Sequence, residues 1–168
     1  MKKGILLIGM PGCGKTTLGK MLAETINFPF IDMDYFIEEN QGKTINQLFK
    51  KGESYFRQIE SESCEILCKK SNVVIASGGG VIKNKNNIDC FSDFLIVFIN
   101  RPLELILDDI ETSGRPLLKD GKEKLTELYR QRIDLYEAYN DVEIVNDGTV
   151  EQVLEALKEK VLHEINGD

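Results

Sequence analysis

The sequence lacks what would mark a membrane protein, a nucleic-acid binder or a disulfide scaffold. No apolar run approaches the roughly 20 residues of a membrane span. The first apolar run, Ile5 to Ile8, is too short for a secretion signal, and Lys15 interrupts the stretch after it. A cytoplasmic chain with no membrane partner is therefore expected. Basic residues are in deficit, 21 Lys and Arg against 28 Asp and Glu, for a net charge of −7. That balance argues against a nucleic-acid partner, so anionic ligands must be met by local Arg and Lys clusters. The four cysteines form no metal or disulfide pattern. Cys64 and Cys68 fall on one helix face, where thiols pack as small hydrophobes. Histidine occurs once, at His163, in a helical pattern that places it on the surface. No repeat, low-complexity stretch or Pro/Ser-rich linker divides the 168 residues, so one domain, 1–168, is expected.

What is present is a phosphate-binding loop. Gly9-Met10-Pro11-Gly12-Cys13-Gly14-Lys15-Thr16 reads G-x-x-x-x-G-K-T. Glycines let backbone N–H groups turn inward around phosphate oxygens, Lys15 adds a point charge, and the Thr16 hydroxyl suits magnesium. A short apolar strand, Gly4–Ile8, precedes the loop, and a helix over Thr17–Ile26 comes next with its N-terminus toward the phosphates. Cys13 lies inside the loop; its side chain need not take part, although a helix N-terminus favours an oxidisable thiol.

Strand-like and helical runs then alternate. Strands are predicted at Phe28–Ile31, Asn72–Ala76, Phe94–Ile99 and Val142–Val145. Helices are predicted at 44–51 (capped by Thr44), Glu53–Lys70, from Pro102 to near Ser113-Gly114, Lys122–Tyr139 and Val150–Ile165. This order implies an α/β fold of the P-loop type, three layers with a five-stranded parallel sheet and helices on both faces. Ligands then sit at the carboxyl ends of the strands.

A nucleotide kinase site needs a second carboxylate for metal. The strands ending at Ala76 and Ile99 are followed by no acid, whereas Phe30-Ile31 runs into Asp32-Met33-Asp34. On an extended backbone the two acids face the same way, one for magnesium and one for an acceptor hydroxyl. The alternative is a helix N-cap followed by an acidic first turn, and the two readings can coexist. Ser77 leads into Gly78-Gly79-Gly80, either bare backbone for a ligand or a tight strand-to-helix turn. Arg57 precedes Glu60 by three residues and Arg132 precedes Tyr136 by four, each pair on one helix face. The arginines are either solvated ion pairs or a bidentate clamp for a small carboxylate. Ser113-Gly114-Arg115-Pro116-Leu117-Leu118 reads as a hinge with a mobile arginine, or as a surface turn.

Taken together, the loop at 9–16, Asp32-Met33-Asp34, Arg57 with Glu60, Gly78-Gly79-Gly80, Arg115-Pro116-Leu117-Leu118 and Arg132 through Tyr136 resemble the shikimate kinases. The resemblance spans residues 4 to about 140. It implies transfer of the γ-phosphoryl of ATP to the 3-hydroxyl of shikimate, on the route to chorismate and the aromatic amino acids. It implies a substrate-binding segment at about 32–60 and a lid at about 110–123. Gly12, Cys13, Gly14, Lys15, Thr16, Thr17 and Arg115 would bind ATP, and Thr16 and Asp32 would serve Mg2+. Asp34 would hold the reacting hydroxyl, and Arg57, Arg132 and Gly78, Gly79 and Gly80 the rest of shikimate. Lys15 and Arg115 would stabilise charge on the transferring group, and Glu60 would orient Arg57. A monomer is expected.

One departure stands out. Members of that family commonly carry a basic residue about seven positions before the lid arginine, against the adenine; here the stretch is Leu107-Asp108-Asp109-Ile110, so adenine must be held differently. A regulatory GTPase would need Asn-Lys-x-Asp, and the nearest string, Asn84-Lys85-Asn86-Asn87, lacks the acid. Gluconate and nucleoside-monophosphate kinases share the core. A nucleotide-binding module that has lost catalysis fits poorly with Lys15, Thr16, Asp32, Asp34 and Arg115 all present.

Overall fold

Residues 4–8 are buried on both alternating faces, a pattern that only a strand covered by helices on each side can show. The computed structural model describes residues 1–112 and 119–167. It places this strand, β1 (Ile5–Ile8), at the centre of a five-stranded parallel sheet. The others are β2 (Phe30–Asp32), β3 (Val74–Ala76), β4 (Leu95–Asn100) and β5 (Val142–Val145), in the order β2-β3-β1-β4-β5. The register aligns Leu7 with Ala76 and Val97, so β1, β3 and β4 end at one edge. β5, at the sheet's rim, alternates buried and exposed residues. Helices are α1 (Lys15–Ile26), α2 (Met33–Gln41), α3 (Ile45–Phe49), α4 (Glu53–Leu67), α5 (Lys85–Cys90), α6 (Leu103–Thr112), α7 (Lys119–Tyr139) and α8 (Val150–Asn166). Their apolar faces join β1, β3 and β4 in one core, with Leu22, Ile37, Leu67, Phe91 and Leu157 among its fully buried members. Among the described residues no helix is long and apolar enough to cross a membrane.

Several element ends, such as those of α4, β3 and α7, shift by up to three residues from the sequence reading, and three differences have a clear local reason. α1 starts at Lys15 rather than Thr17, because Gly14 takes a left-handed φ of 100° and turns the chain directly into the helix. β2 starts at Phe30 rather than Phe28. The left-handed Asn27 closes α1, and the Phe28 N–H donates back to Ala23 O, so Phe28 belongs to the helix exit. The backbone does not stay extended past Asp32: α2 begins at Met33, and Asp34 lies in its first turn. α5 has no counterpart in the sequence reading. It is six residues long, capped by Asn84, and buries only Asn87 and Ile88, too little to show a helical period.

Candidate active site

The P-loop is shaped by its glycines. Gly12 (φ 79°) and Gly14 (φ 100°) adopt conformations that a side chain disfavours. A Cβ at Gly9 would come within 2.6 Å of Ile99 O and 2.7 Å of Cys13 Sγ, so the loop presses against the end of β4. Cys13 is fully buried there, a packing residue. The Lys15 ammonium folds over the loop and donates to Gly9 O (2.7 Å) and Met10 O (2.9 Å). Its third N–H points to Cys13 Sγ (3.6 Å), the longest and weakest of the three contacts and the one a phosphate oxygen would most readily replace.

Asp32 caps α2, as one reading of the acidic pair expected, and also reaches the P-loop. Its Oδ1 accepts from the Tyr35 N–H (3.1 Å) as the N-cap of α2, and its Oδ2 accepts from Thr16 Oγ1 (2.9 Å). The P-loop hydroxyl and the Asp32 carboxylate therefore share one corner of a cavity of about 500 Å3, which Lys15, Asp34, Ser77 and Gly79 also line. Ser77 Oγ is buried with no hydrogen-bond partner among the described residues, an orphaned polar atom at the end of β3. Desolvation, and then the neighbouring Asp32 carboxylate, raise the pKa of Asp34 above the ordinary aspartate value.

The triple glycine is where the other side chains meet. A Cβ on Gly78 would lie 3.0 Å from Asp34 Oδ1 and 3.2 Å from Glu60 Oε2. On Gly79 it would lie 2.8 Å from Pro11 Cδ and 3.3 Å from Arg132 Nη1, and on Gly80 it would collide with the Arg57 guanidinium. None of the three has a left-handed φ. Their small size is used for close approach by Asp34, Glu60, Arg132 and Arg57, and the turn reading also holds, since Val81 N–H donates to Gly78 O. α7 is fixed here by Tyr136, whose hydroxyl donates to Gly79 O while its ring stacks on Phe98 (5.2 Å). One helical turn earlier, Arg132 is thereby held, only 8% exposed, beside the glycines.

Arg57 and Glu60 form no surface pair. Arg57 Nη1 donates to Glu60 Oε1 (2.8 Å), and Glu60 is 1% exposed. Burial raises the Glu60 pKa while the Arg57 guanidinium opposes it. Arg57 also reaches Glu53 and lies over the stacked rings of Phe49 and Phe56. That packing fixes the guanidinium plane.

One of the acids before the lid, Asp109, has a partner that the sequence reading missed. Arg101, at the end of β4, donates from Nε and Nη2 to both oxygens of Asp109 (2.8 and 3.0 Å), and from Nη1 to Asn146 O (2.7 Å). The Asn146 side chain donates to Cys13 O (2.8 Å), closing the chain of contacts onto the P-loop. Arg101, Asp109 and Asn146 line a second cavity, of about 200 Å3, with Gly12, Gly14 and Thr17. The only signal in the sequence was position: Arg101 and Asn146 come directly after strands. Arg115, and with it the tip of the expected lid, lies outside the described residues.

The shikimate kinase family model matches residues 11–162. The shikimate kinase of Clostridium botulinum is 48% identical over 164 residues, covering 97% of this chain and 99% of that protein. The structure of the shikimate kinase from Acinetobacter baumannii in complex with shikimate superposes with a TM-score of 0.85 at 31% identity, covering 99% of this chain and 94% of that one. A gluconokinase from Sinorhizobium meliloti reaches a TM-score of 0.60 at 15% identity over 97% of each chain, a likeness of fold alone. With 152 residues inside the family match and near-complete overlap with those relatives, the chain belongs to the shikimate kinase family.

Proposed function

We propose that the chain transfers the γ-phosphoryl of ATP to the 3-hydroxyl of shikimate, giving shikimate 3-phosphate and ADP, with the acceptor seated on the Gly78–Gly80 turn. The observation that carries this reading is the convergence of Asp34, Glu60, Arg57 and Arg132 on those glycines, next to the cavity bounded by Lys15 and Thr16. In this reading Arg57 and Arg132 take the shikimate carboxylate, and close approach to bare glycine backbone fits a compact ring with several hydroxyls. Asp34 accepts the 3-hydroxyl proton as the oxygen attacks the γ-phosphorus and ADP departs. Its raised pKa makes it a better proton acceptor than an ordinary aspartate.

The backbone N–H groups of Gly12 to Thr17 cradle the phosphates, and Lys15 meets them by exchanging its long contact to Cys13 Sγ for a phosphate oxygen. Arg115 adds its charge to the transferring group, a role that rests on the resemblance. The base side of ATP falls to the smaller cavity, where the Arg101–Asp109 fork stands in for the cation missing before the lid. Magnesium fits the donor set. Thr16 Oγ1 and Asp32 Oδ2 already lie together, and Ser77 Oγ has no partner among the described residues. Among the described residues no three His, Cys, Asp or Glu side chains form a cage, and Mg2+ needs none beside nucleotide phosphates and water. When bound with the nucleotide, the ion supplies positive charge against the phosphate oxygens. A single kinase domain, acting as a cytoplasmic monomer, completes the proposal.

The test is ADP release from ATP and magnesium with shikimate, gluconate or AMP as acceptor. Turnover with shikimate and little with the others is expected. Folded protein that turns over gluconate or AMP but not shikimate overturns the reading.

A further inference from the structure

Cys68 closes α4 and Cys90 closes α5, and their sulfurs lie 2.9 Å apart. Neither is needed for the phosphoryl transfer, and both are half-buried, within reach of a small reagent. Either sulfur can donate in this contact, and Cys68 Sγ–H also reaches Glu65 O (3.6 Å). Cys64 sits one turn before Cys68 but is fully buried.

We propose that Cys68 and Cys90 form a modification site, an intramolecular disulfide made by hydrogen peroxide or a related hydroperoxide, which braces α4 against α5. The Cys68 thiolate attacks a peroxide oxygen. An S–O bond forms, the O–O bond breaks, and the departing hydroxide with the proton from Cys68 becomes water. Cys90 sulfur then attacks the Cys68 sulfenic acid. An S–S bond forms, the S–O bond breaks, and the displaced hydroxide with the Cys90 proton becomes a second water. The two thiols lose two electrons and two protons, and the peroxide is reduced to two waters.

The order of events has a physical cause. Desolvation and the contact with Cys68 push the Cys90 thiol up to about 12, so Cys90 keeps its proton and resolves rather than attacks. Burial drives the Cys64 thiol higher still, which removes it as a competing nucleophile. The bridge joins the two helices that flank the glycine turn. α4 carries Arg57 and Glu60, and α5 is joined to Gly80 through a 3-10 turn at Val81–Lys83, whose Val81 O accepts from Asn87. The sulfurs, 2.9 Å apart, need to approach by less than about 1 Å to reach the roughly 2.05 Å of a disulfide.

Full-length protein treated with hydrogen peroxide is mapped by non-reducing peptide mass spectrometry. Expected are loss of two of the four free thiols, one linked peptide pair containing Cys68 and Cys90, and full reversal by dithiothreitol. Neither Cys68→Ser nor Cys90→Ser forms the link, and both remain folded, since serine keeps the size of a half-buried side chain. The oxidised protein melts on the order of 5 °C higher and keeps shikimate turnover within twofold. A Cys64–Cys68 link, a disulfide-joined dimer, stepwise oxidation of Cys68 to sulfinic acid, or four unreacted thiols overturns the proposal. So does a Cys68–Cys90 link that abolishes shikimate turnover, because the geometry then was not already suited to the bridge.

Discussion

Burial and the Asp32 carboxylate both raise the Asp34 pKa, and the effect on stability opposes the effect on turnover. A raised carboxyl pKa favours folding fully below the unfolded value, about 3.9, and that contribution is lost as pH rises through the folded value. At neutral pH the native protein has lost it, whereas an amide at the same position has not. Asp34→Asn is therefore expected to melt at a higher temperature than the native chain at pH 7. The gap should narrow as pH falls below about 4, where the carboxyl is neutral folded and unfolded alike. Scanning calorimetry at the two pH values checks this. The same raised pKa places the acid limb of kcat/KM for shikimate above the range of an ordinary aspartate, and a pH–rate profile reads it directly. For Arg57 the proposed role is binding. On that proposal Arg57→Ala removes a charge-assisted contact to the carboxylate, of about 1.5–3 kcal/mol, and it leaves Glu60 buried without its partner. The shikimate KM should rise at least about tenfold while the ATP KM stays near native, which initial-rate kinetics in both substrates separates.

At the scale of elements, the Gly78–Gly80 turn organises the site, because four side chains from α2, α4 and α7 occupy the space its Cβ atoms would fill. Gly80→Ala should push the Arg57 guanidinium away and raise the shikimate KM, whereas Gly42→Ala, with nothing within 4 Å but a left-handed φ of 62° at the end of α2, should lower the melting temperature and leave that KM near native. Comparing the two variants isolates close approach from general loss of glycine. The elements that carry a strong period or a motif were legible in the sequence: β1, the P-loop, the capped α3 and α8 all stand where they were expected. The acidic pair was legible as residues but not as geometry. An extended backbone was one way to align Asp32 and Asp34, and the chain instead uses Asp32 as a helix cap and turns Asp34 toward Gly78. α5 was illegible because six residues with one buried apolar side chain show no period. The pairing of Asp109 with Arg101 was illegible because it spans a helix and depends on where β4 ends.

For the whole molecule, the parallel sheet brings the ends of β1, β2 and β3 to one edge, so that residues far apart in sequence face a single cavity. β4 and β5 bring Arg101 and Asn146 to the same edge beside the loop. On the proposed function, nucleotide base and acceptor are held in two separate cavities. Arg101→Ala should raise the ATP KM several-fold, on the order of one lost charge-assisted contact, and leave the shikimate KM within twofold, which the same two-substrate kinetics checks. The division also states the central claim in a form that one rate decides: the acceptor hydroxyl is held and deprotonated by Asp34, opposite a nucleotide held by the P-loop. The measurement is the rate of shikimate-dependent ADP release by Asp34→Asn at saturating ATP, magnesium and shikimate, set beside that of the native chain. A fall of about 10²-fold or more, in protein that remains folded, is the predicted result; a rate near native would contradict the account.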